Sequence, residues 1–281
     1  MNRSKPITVT IVMPAHNEES CLKKTVEGVI KGVTIPHYEL LICNDHSSDN
    51  TLQIATALSK KYPQIRVISN GYDKGFGNVL RFGFDHATGK YVVVMMADAC
   101  DDPKTVNEMY AKAEQGYDLV IGSRYIKGGG KKNTNDKFKS MLSRSVGLIC
   151  HIFLGVKSKD GTNAFRMIRR SVLKKIRPVS NHFDLSLETT LKIHRMGYKI
   201  TEVPTVWIDR SEGETKFNVP KVATRYIRWI INADKWIANT RFMGILILYW
   251  ILLLAVFTIL MLFFGKEILH ILISSIRPAM L

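Results

Sequence analysis

Through its first two hundred or so residues the chain alternates between two hydrophobic periods. Short apolar runs rich in β-branched residues occur at 7–13 (ITVTIVM), 38–43 (YELLIC), 65–68 (IRVI), 90–96 (KYVVVMM) and 117–121 (YDLVI), and each has the length of a strand. Longer segments with apolar residues at helical spacing separate them. Strands that alternate with helices predict a mainly parallel, doubly wound α/β sheet. Helix starts are marked by Asn17 ahead of Glu18, by Ser48 and Asp49 ahead of the run from Asn50, and by Asp102-Pro103 ahead of Lys104. The stretch 127–139 (KGGGKKNTNDKFK), with three consecutive glycines, predicts a mobile loop.

A different pattern closes the chain. Residues 242–264 (FMGILILYWILLLAVFTILMLFF) are 23 positions without a charge, bounded by Arg241 and Lys266, and about 20 apolar residues cross a bilayer as a helix. The tail at 265–281 is too short and too interrupted, by Arg277 and Pro278, for a second span. From Asp209 to Arg241 seven Lys or Arg face four acids, whereas the tail offers only Lys266 and Arg277. That asymmetry predicts a single-pass protein with its long N-terminal part on the cytoplasmic side. The expected organisation is a globular domain at 1–217, a basic amphipathic juxtamembrane helix at 218–241, a transmembrane helix at 242–264 and a short tail. Residues 137–157 (KFKSMLSRSVGLICHIFLGVK) mix cations with an apolar stripe, which fits an interfacial helix and a soluble core helix equally well.

Charge narrows the partners. Forty Lys and Arg against 24 Asp and Glu give a formal net charge of +16 in 281 residues, which brings anionic partners into consideration: nucleotide phosphates, a bilayer surface or nucleic acid. Juxtamembrane cations lying against anionic headgroups account for part of it, at roughly 1 kcal/mol each near the surface. No groove-reading helix motif and no basic sheet interleaved with aromatics is present, which excludes nucleic acid. Cysteines 21, 43, 100 and 150 form no C-x-x-C and read as reduced thiols.

The candidate chemistry sits where the strands end. Asn17-Glu18-Glu19 follow the first run, Asn44-Asp45 with Ser47-Ser48-Asp49 the second, and Asp98 with Asp101-Asp102 the fourth. In a parallel sheet these carboxyl ends meet along one edge, so three acidic clusters converge on the crevice where such sheets bind ligands. Carboxylates gathered there repel unless a cation joins them, and carboxylates with phosphates make a magnesium or manganese environment. Helix capping accounts for Asp49 and Asp102, but not for Asp45 and Asp98. Lys74-Gly75-Phe76-Gly77-Asn78 opens a helix and reads as a phosphate- or ribose-facing loop; it lacks the third glycine of a dinucleotide fingerprint. Arg124, after the fifth run, lies at the acids' edge, and a guanidinium suits forked recognition of phosphate. Glu188, in the helical stretch from Asp184 to Met196, reads as a surface carboxylate.

These motifs together resemble the family 2 glycosyltransferases of the GT-A fold, and within them the polyprenyl-phosphate (dolichyl-phosphate type) sugar transferases. The resemblance runs from Ile7 to about Phe217 through V-M-P-A-H-N-E-E at 12–19, N-D-H-S-S-D-N-T at 44–51, K-G-F-G-N at 74–78, M-A-D-A-C-D-D-P at 96–103, G-S-R-Y at 122–125, D-G-T-N-A-F-R at 160–166 and R-S-E-G-E-T-K-F at 210–217. It implies that Pro14, Ala15, Asn17 and Glu18 lie against the nucleotide, that Asp45 hydrogen-bonds the base, and that Asp98 serves ribose, diphosphate and metal. Arg124, Arg210 and Lys216 resemble the cations that receive the acceptor phosphate and steady the leaving diphosphate. The family's D-x-D needs Asp at 96 or 100, where this chain has Met96 and Cys100; Asp101 or Asp102 then supplies the second carboxylate. His16 stands where an aromatic is common, and His46 where glycine is. The implied reaction is inverting transfer of a hexose from a UDP- or GDP-sugar to a polyprenyl phosphate, with Mg2+ or Mn2+. Two rivals remain. One is a transferase to a sugar or protein hydroxyl, with Asp101, Asp102 or Glu188 as base; the other is an inactive membrane adaptor.

Overall fold

All five apolar runs form strands in the computed structural model, which describes residues 6–132, 137–209 and 219–234, all within one unit, Met1–Trp236. They are β1 (Val9–Ala15), β2 (Tyr38–Asn44), β3 (Ile65–Ser69), β4 (Tyr91–Val94) and β5 (Leu119–Ser123). Helices α1 (Leu22–Gly32), α2 (Thr51–Lys61), α3 (Phe76–His86) and α4 (Thr105–Glu114) alternate with them. The first helix begins at Leu22, later than the Asn17–Glu18 signal. Residues 17–20 are instead a loop that starts with Asn17 at φ 53°.

Beyond β5 the sequence pattern is weaker and the structure adds what it did not predict. β6 (Gly130–Lys132) lies inside the glycine-rich stretch expected to be a mobile loop, and pairs in parallel with a later strand, β9 (Val206–Ile208). Between them come α5 (Lys137–Phe153), β7 (Arg166–Arg169), α6 (Arg170–Ile176), α7 (Leu185–Arg195) and β8 (Ile200–Pro204), and α8 (Val219–Asp234) is the last described helix. The main sheet runs β3-β2-β1-β4-β7-β5-β8. β1 to β4 are parallel, and so are β5 and β8, but β7 is antiparallel to both its neighbours.

Alternate residues of each strand enter opposite cores, as the two-residue period dictates. Val9, Ile11, Met13, Leu40, Ile42 and Val93 pack with Val26, Leu58 and Met109 from α1, α2 and α4. Val12, Leu41, Val92, Val94 and Ile121 pack with Leu80, Leu173 and Ile193 from α3, α6 and α7. The result is a three-layer α/β/α sandwich whose strand order turns back at β1 and β4, which opens the crevice at their carboxyl ends.

None of the four cysteines is in a disulfide, and all four are buried. Burial pushes the Cys43 and Cys150 thiols up to about 12, so both are inert. None of the described helices is long and apolar enough to cross a membrane; the expected span at 242–264 lies outside the described residues. So do Arg210 and Lys216.

Candidate active site

Two loops at the carboxyl ends of β1 and β2 clasp each other. Ser48 N–H donates to Asn17 Oδ1 at 2.9 Å and Asn17 N–H to Ser47 Oγ at 3.2 Å. Glu18 N–H donates to Thr51 Oγ1 at 2.8 Å, Glu19 N–H to Asp49 Oδ2 at 3.2 Å, and Asn50 N–H to Glu19 Oε2 at 3.0 Å. Asp49 also accepts the Thr51 N–H at 3.0 Å, at the start of α2. Asn17 thus braces the two motifs, while Pro14 and Ala15 are buried in the last turns of β1.

Asp45 is the centre of this end of the crevice. Its backbone N–H donates to Ala15 O at 2.8 Å, which places it beside β1. Its carboxylate accepts from Asn70 Nδ2 at 2.8 Å and from Gly75 N–H at 3.1 Å. Gly75 adopts φ 154°, a conformation that favours glycine. Gly77 has a separate reason: a Cβ there would stand 2.3 Å from Ser180 O and 2.4 Å from the Asn181 carbonyl carbon. Lys74, next to this clasp, is exposed. His16 Nδ1 donates to Asp45 O at 2.7 Å and His46 Nε2 to Tyr72 O at 3.0 Å. His46 sits at φ 52°, the backbone state for which glycine is the easier choice.

The acidic cluster after β4 separates into two roles. Asp98 Oδ1 accepts the Cys100 N–H at 3.1 Å and Asp101 Oδ2 the Met96 N–H at 3.3 Å. Both are buried. Burial first, and the charge of Asp98 second, push the Asp101 carboxyl up to about 7. Asp102 accepts the Lys104 N–H at 3.0 Å at the start of α4. Among the described residues no group of three or more His, Cys, Asp and Glu side chains is gathered for a metal. Asp98 and Asp101 nonetheless fit a divalent cation, because the charge of Asp98 pushes up the Asp101 carboxyl and a cation between them would relieve that repulsion.

Arg124 follows β5 and is held by a partner the sequence reading did not name. Nε and Nη2 donate to Asp160 Oδ2 and Oδ1 at 2.8 and 2.7 Å, the Arg124 N–H donates to Oδ2 at 3.0 Å, and Nη2 reaches Ser143 Oγ at 3.2 Å. Burial works against the guanidinium charge, and Asp160 more than restores it, so the group stays firmly cationic. Asp101 also feels this charge, so this acid and the guanidinium lie near one another.

Beneath them Arg166 is fully buried. It donates to Asn163 O, to Ser186 O at 2.6 Å, to Thr190 Oγ1 at 2.8 Å and to Gly161 O at 3.1 Å, which fixes the loop bearing Asp160. Burial lowers its guanidinium to about 10. Glu188 is not a surface carboxylate: it has no exposure, accepts the Val179 and Ser180 N–H groups, each at 2.8 Å, and pairs with Lys192 at 2.6 Å. Of the groups the reading missed, Asn70 had a visible signal, because it follows β3 as the other polar clusters follow their strands. Asp160 had none beyond its motif.

The glycosyl transferase family 2 model matches residues 10–177, more than half of the chain. A dolichol-phosphate mannosyltransferase of Pyrococcus furiosus is 29% identical over 230 residues, 81% of this chain and 64% of that protein. A polyprenol monophosphomannose synthase of Mycolicibacterium smegmatis is 27% identical over 229 residues, 78% of this chain and 85% of that one. The chain thus spans less than two thirds of the archaeal relative's length. In fold it is similar to glucosyl-3-phosphoglycerate synthase of Mycobacterium tuberculosis, solved with Mn2+, UDP and phosphoglyceric acid, at TM-score 0.61 and 16% identity, covering 82% of this chain and 78% of that one. Ordered strand-end motifs, the GT-A-like sheet that carries them and the extent of the family match lead to one conclusion: the chain belongs to glycosyl transferase family 2.

Proposed function

We propose that this protein transfers a hexose, with inversion, from a nucleotide-diphosphate sugar to a polyprenyl monophosphate at the cytoplasmic membrane surface. The observation that carries the reading is the nearness of acid and guanidinium. Asp98 and Asp101, suited to a cation-bridged diphosphate, feel one another's charge, and Asp101 lies within electrostatic reach of Arg124, whose guanidinium Asp160 holds rigid. The names of the archaeal and mycobacterial relatives support a lipid monophosphate as acceptor.

Asp45, oriented by Asn70 and Gly75, accepts an N–H of the base. Pro14, Ala15 and Glu18 wall the nucleotide on the β1 side, with Lys74 at the opening. Asp98 and Asp101 are the residues that would hold Mg2+ or Mn2+, and the ion when bound supplies charge neutralisation for the departing diphosphate. The acceptor needs no general base, because a phosphate monoester has its second pKa at about 6 and is mostly a dianion at neutral pH. What it needs is cations that hold it against an anionic donor. Arg124 is placed for that role, and Arg210 and Lys216 carry it from the motif at 210–217. The acceptor oxygen attacks the anomeric carbon on the face opposite the diphosphate. The new C–O bond forms as the bond to the diphosphate breaks, so an α-linked donor gives a β-linked lipid product.

Two further features favour a lipid acceptor. The charge-free run at 242–264 has the length of a bilayer span. Leu148 and Ile152 on α5 and Ile227 and Ile231 on the neighbouring α8 are exposed, apolar groups suited to an interfacial position. Membranes incubated with a panel of radiolabelled UDP- and GDP-sugars and polyprenyl phosphate should pass one label into the lipid phase. A retained anomeric configuration, or transfer to hydroxyl acceptors alone, overturns the proposal.

A further inference from the structure

The loop between α6 and α7 is gripped from three sides. From α7, Glu188 accepts the Val179 and Ser180 N–H groups, and Lys192, paired with Glu188, donates to Arg177 O at 3.0 Å. From α3, Gly77 N–H donates to Asn181 O at 3.0 Å, Arg81 Nη1 to Asn181 Oδ1 at 2.9 Å, and the Phe76 ring stacks on Phe183 at 4.4 Å between centroids. From α8, Trp229 Nε1 donates to Asp184 Oδ2 at 3.0 Å and to Ser180 Oγ at 3.2 Å, and the Ser180 hydroxyl donates to the same carboxylate oxygen at 2.8 Å.

Asp184 is buried and its second oxygen, Oδ1, has no hydrogen-bond partner. The carboxylate therefore relies on the indole N–H and one hydroxyl, and a buried acceptor that loses a donor is costly. There is also no slack between loop and α3, since a Cβ on Gly77 would overlap the 180–182 backbone. A shift of the loop must move the first turn of α3, and with it the Gly75 N–H that Asp45 accepts.

We propose that Trp229 is a positioning residue for the donor: its indole N–H, through Asp184 and Ser180, seats the 179–183 loop that fixes the first turn of α3 and the Asp45 carboxylate. The inference rests on the reading of Asp45 as the nucleotide-binding end. It makes the seating of α8 on α7 a determinant of donor affinity at a residue that does not touch the donor.

The test uses the full chain in detergent, titrated with UDP and with GDP, each with Mn2+. Trp229→Phe, which keeps the ring and loses the N–H, is expected to weaken whichever nucleotide the wild type binds by threefold to tenfold. Donor KM should rise by the same factor, with kcat and the polyprenyl-phosphate KM within twofold. Asp184→Asn, which retains an acceptor for the indole, should stay within twofold of wild type, and Asp184→Ala should reproduce Trp229→Phe. In an Asp45→Ala background Trp229→Phe should add no further loss. Unchanged affinity in both Trp229→Phe and Asp184→Ala, or an equal fall in kcat, overturns the latch. Hydrogen exchange of the Val179, Ser180 and Gly77 amides tests it without nucleotide: faster exchange in Trp229→Phe supports it, and unchanged protection overturns it. A wild type that binds neither nucleotide overturns the donor reading alone.

Discussion

Replacing Gly77 by alanine isolates the contact on which the donor end depends. The added methyl carbon would stand 2.3 Å from Ser180 O, 2.4 Å from the Asn181 carbonyl carbon and 2.6 Å from His182 N. All three are backbone atoms, so no side-chain rotation relieves them, and α3 must part from the loop by about 1 Å to restore ordinary contact distances. Overpacking of this kind costs about 1–3 kcal/mol. Loss of the Gly77 N–H bond to Asn181 O adds about 1 kcal/mol, and the better helix propensity of alanine returns about as much. Weakened stacking of Phe76 on Phe183 adds about 0.5–1.5 kcal/mol. The sum is about 1.5–4.5 kcal/mol, or roughly 3–18 °C in Tm for a domain of this size. Gly130→Ala is the control, since nothing lies within 4 Å of its added carbon; it should change stability by less than about 0.5 kcal/mol. Thermal unfolding of both variants, followed by calorimetric titration with UDP and GDP, measures stability and affinity together. Gly77→Ala should also bind nucleotide more weakly, because the Gly75 N–H moves away from Asp45. A Tm within 1 °C of the control, with unchanged affinity, would refute the reasoning.

Four other outcomes follow from the same contacts. Asp160→Ala leaves the largely buried Arg124 without its bidentate partner, which costs about 3–5 kcal/mol; chemical denaturation should show the loss, and acceptor KM should rise more than donor KM. Asp45→Ala removes the acceptor for Asn70 and Gly75 and should weaken nucleotide binding at least tenfold, about 1.4 kcal/mol, with Asp45→Asn intermediate. Burial raises the Glu39 carboxyl, but donors from Thr10 and Thr88 and the Arg66 charge outweigh it and hold it below its ordinary value of 4.5. A depressed acid stabilises the fold above its unfolded pKa and loses that contribution as pH falls through the folded value. Glu39→Gln should therefore cost about 1.5–3 kcal/mol at pH 7, and the difference from wild type should shrink below about pH 4.5 in urea titrations. Leu148→Glu with Ile152→Glu should abolish vesicle flotation of a chain truncated after residue 241 if α5 lies at the interface; unchanged flotation removes that reading.

Much of the site was legible from where polar residues interrupt apolar runs. Asp45 and Arg124 directly follow β2 and β5, Asp98 comes shortly after β4, and the parallel order of β1, β2 and β4 places two of these ends on one edge. What each side chain does there was less legible. Asp101 and Asp102 are neighbours in the chain, yet one is buried and accepts the Met96 N–H while the other accepts the Lys104 N–H just ahead of α4. Glu188 sits on a helix whose pattern allows either exposure or burial, and only the approach of the 179–180 backbone makes burial favourable. Arg124 was placed at the correct edge, but its tie to Asp160 spans 36 residues, and no local pattern encodes it.

By itself the sequence determined the alternation of strands and helices, the acids at the strand ends and the glycines at 75 and 77, because period, propensity and φ preference act within a few residues of one another. Only the tertiary structure decided that β7, four residues with an arginine at each end, enters the sheet antiparallel between β4 and β5, and that buried Arg166 finds its acceptors along α7 and the 160–163 loop. Burying a charge is tolerable only when partners meet it. Here those partners come from elsewhere in the chain, and folding is what brings them together.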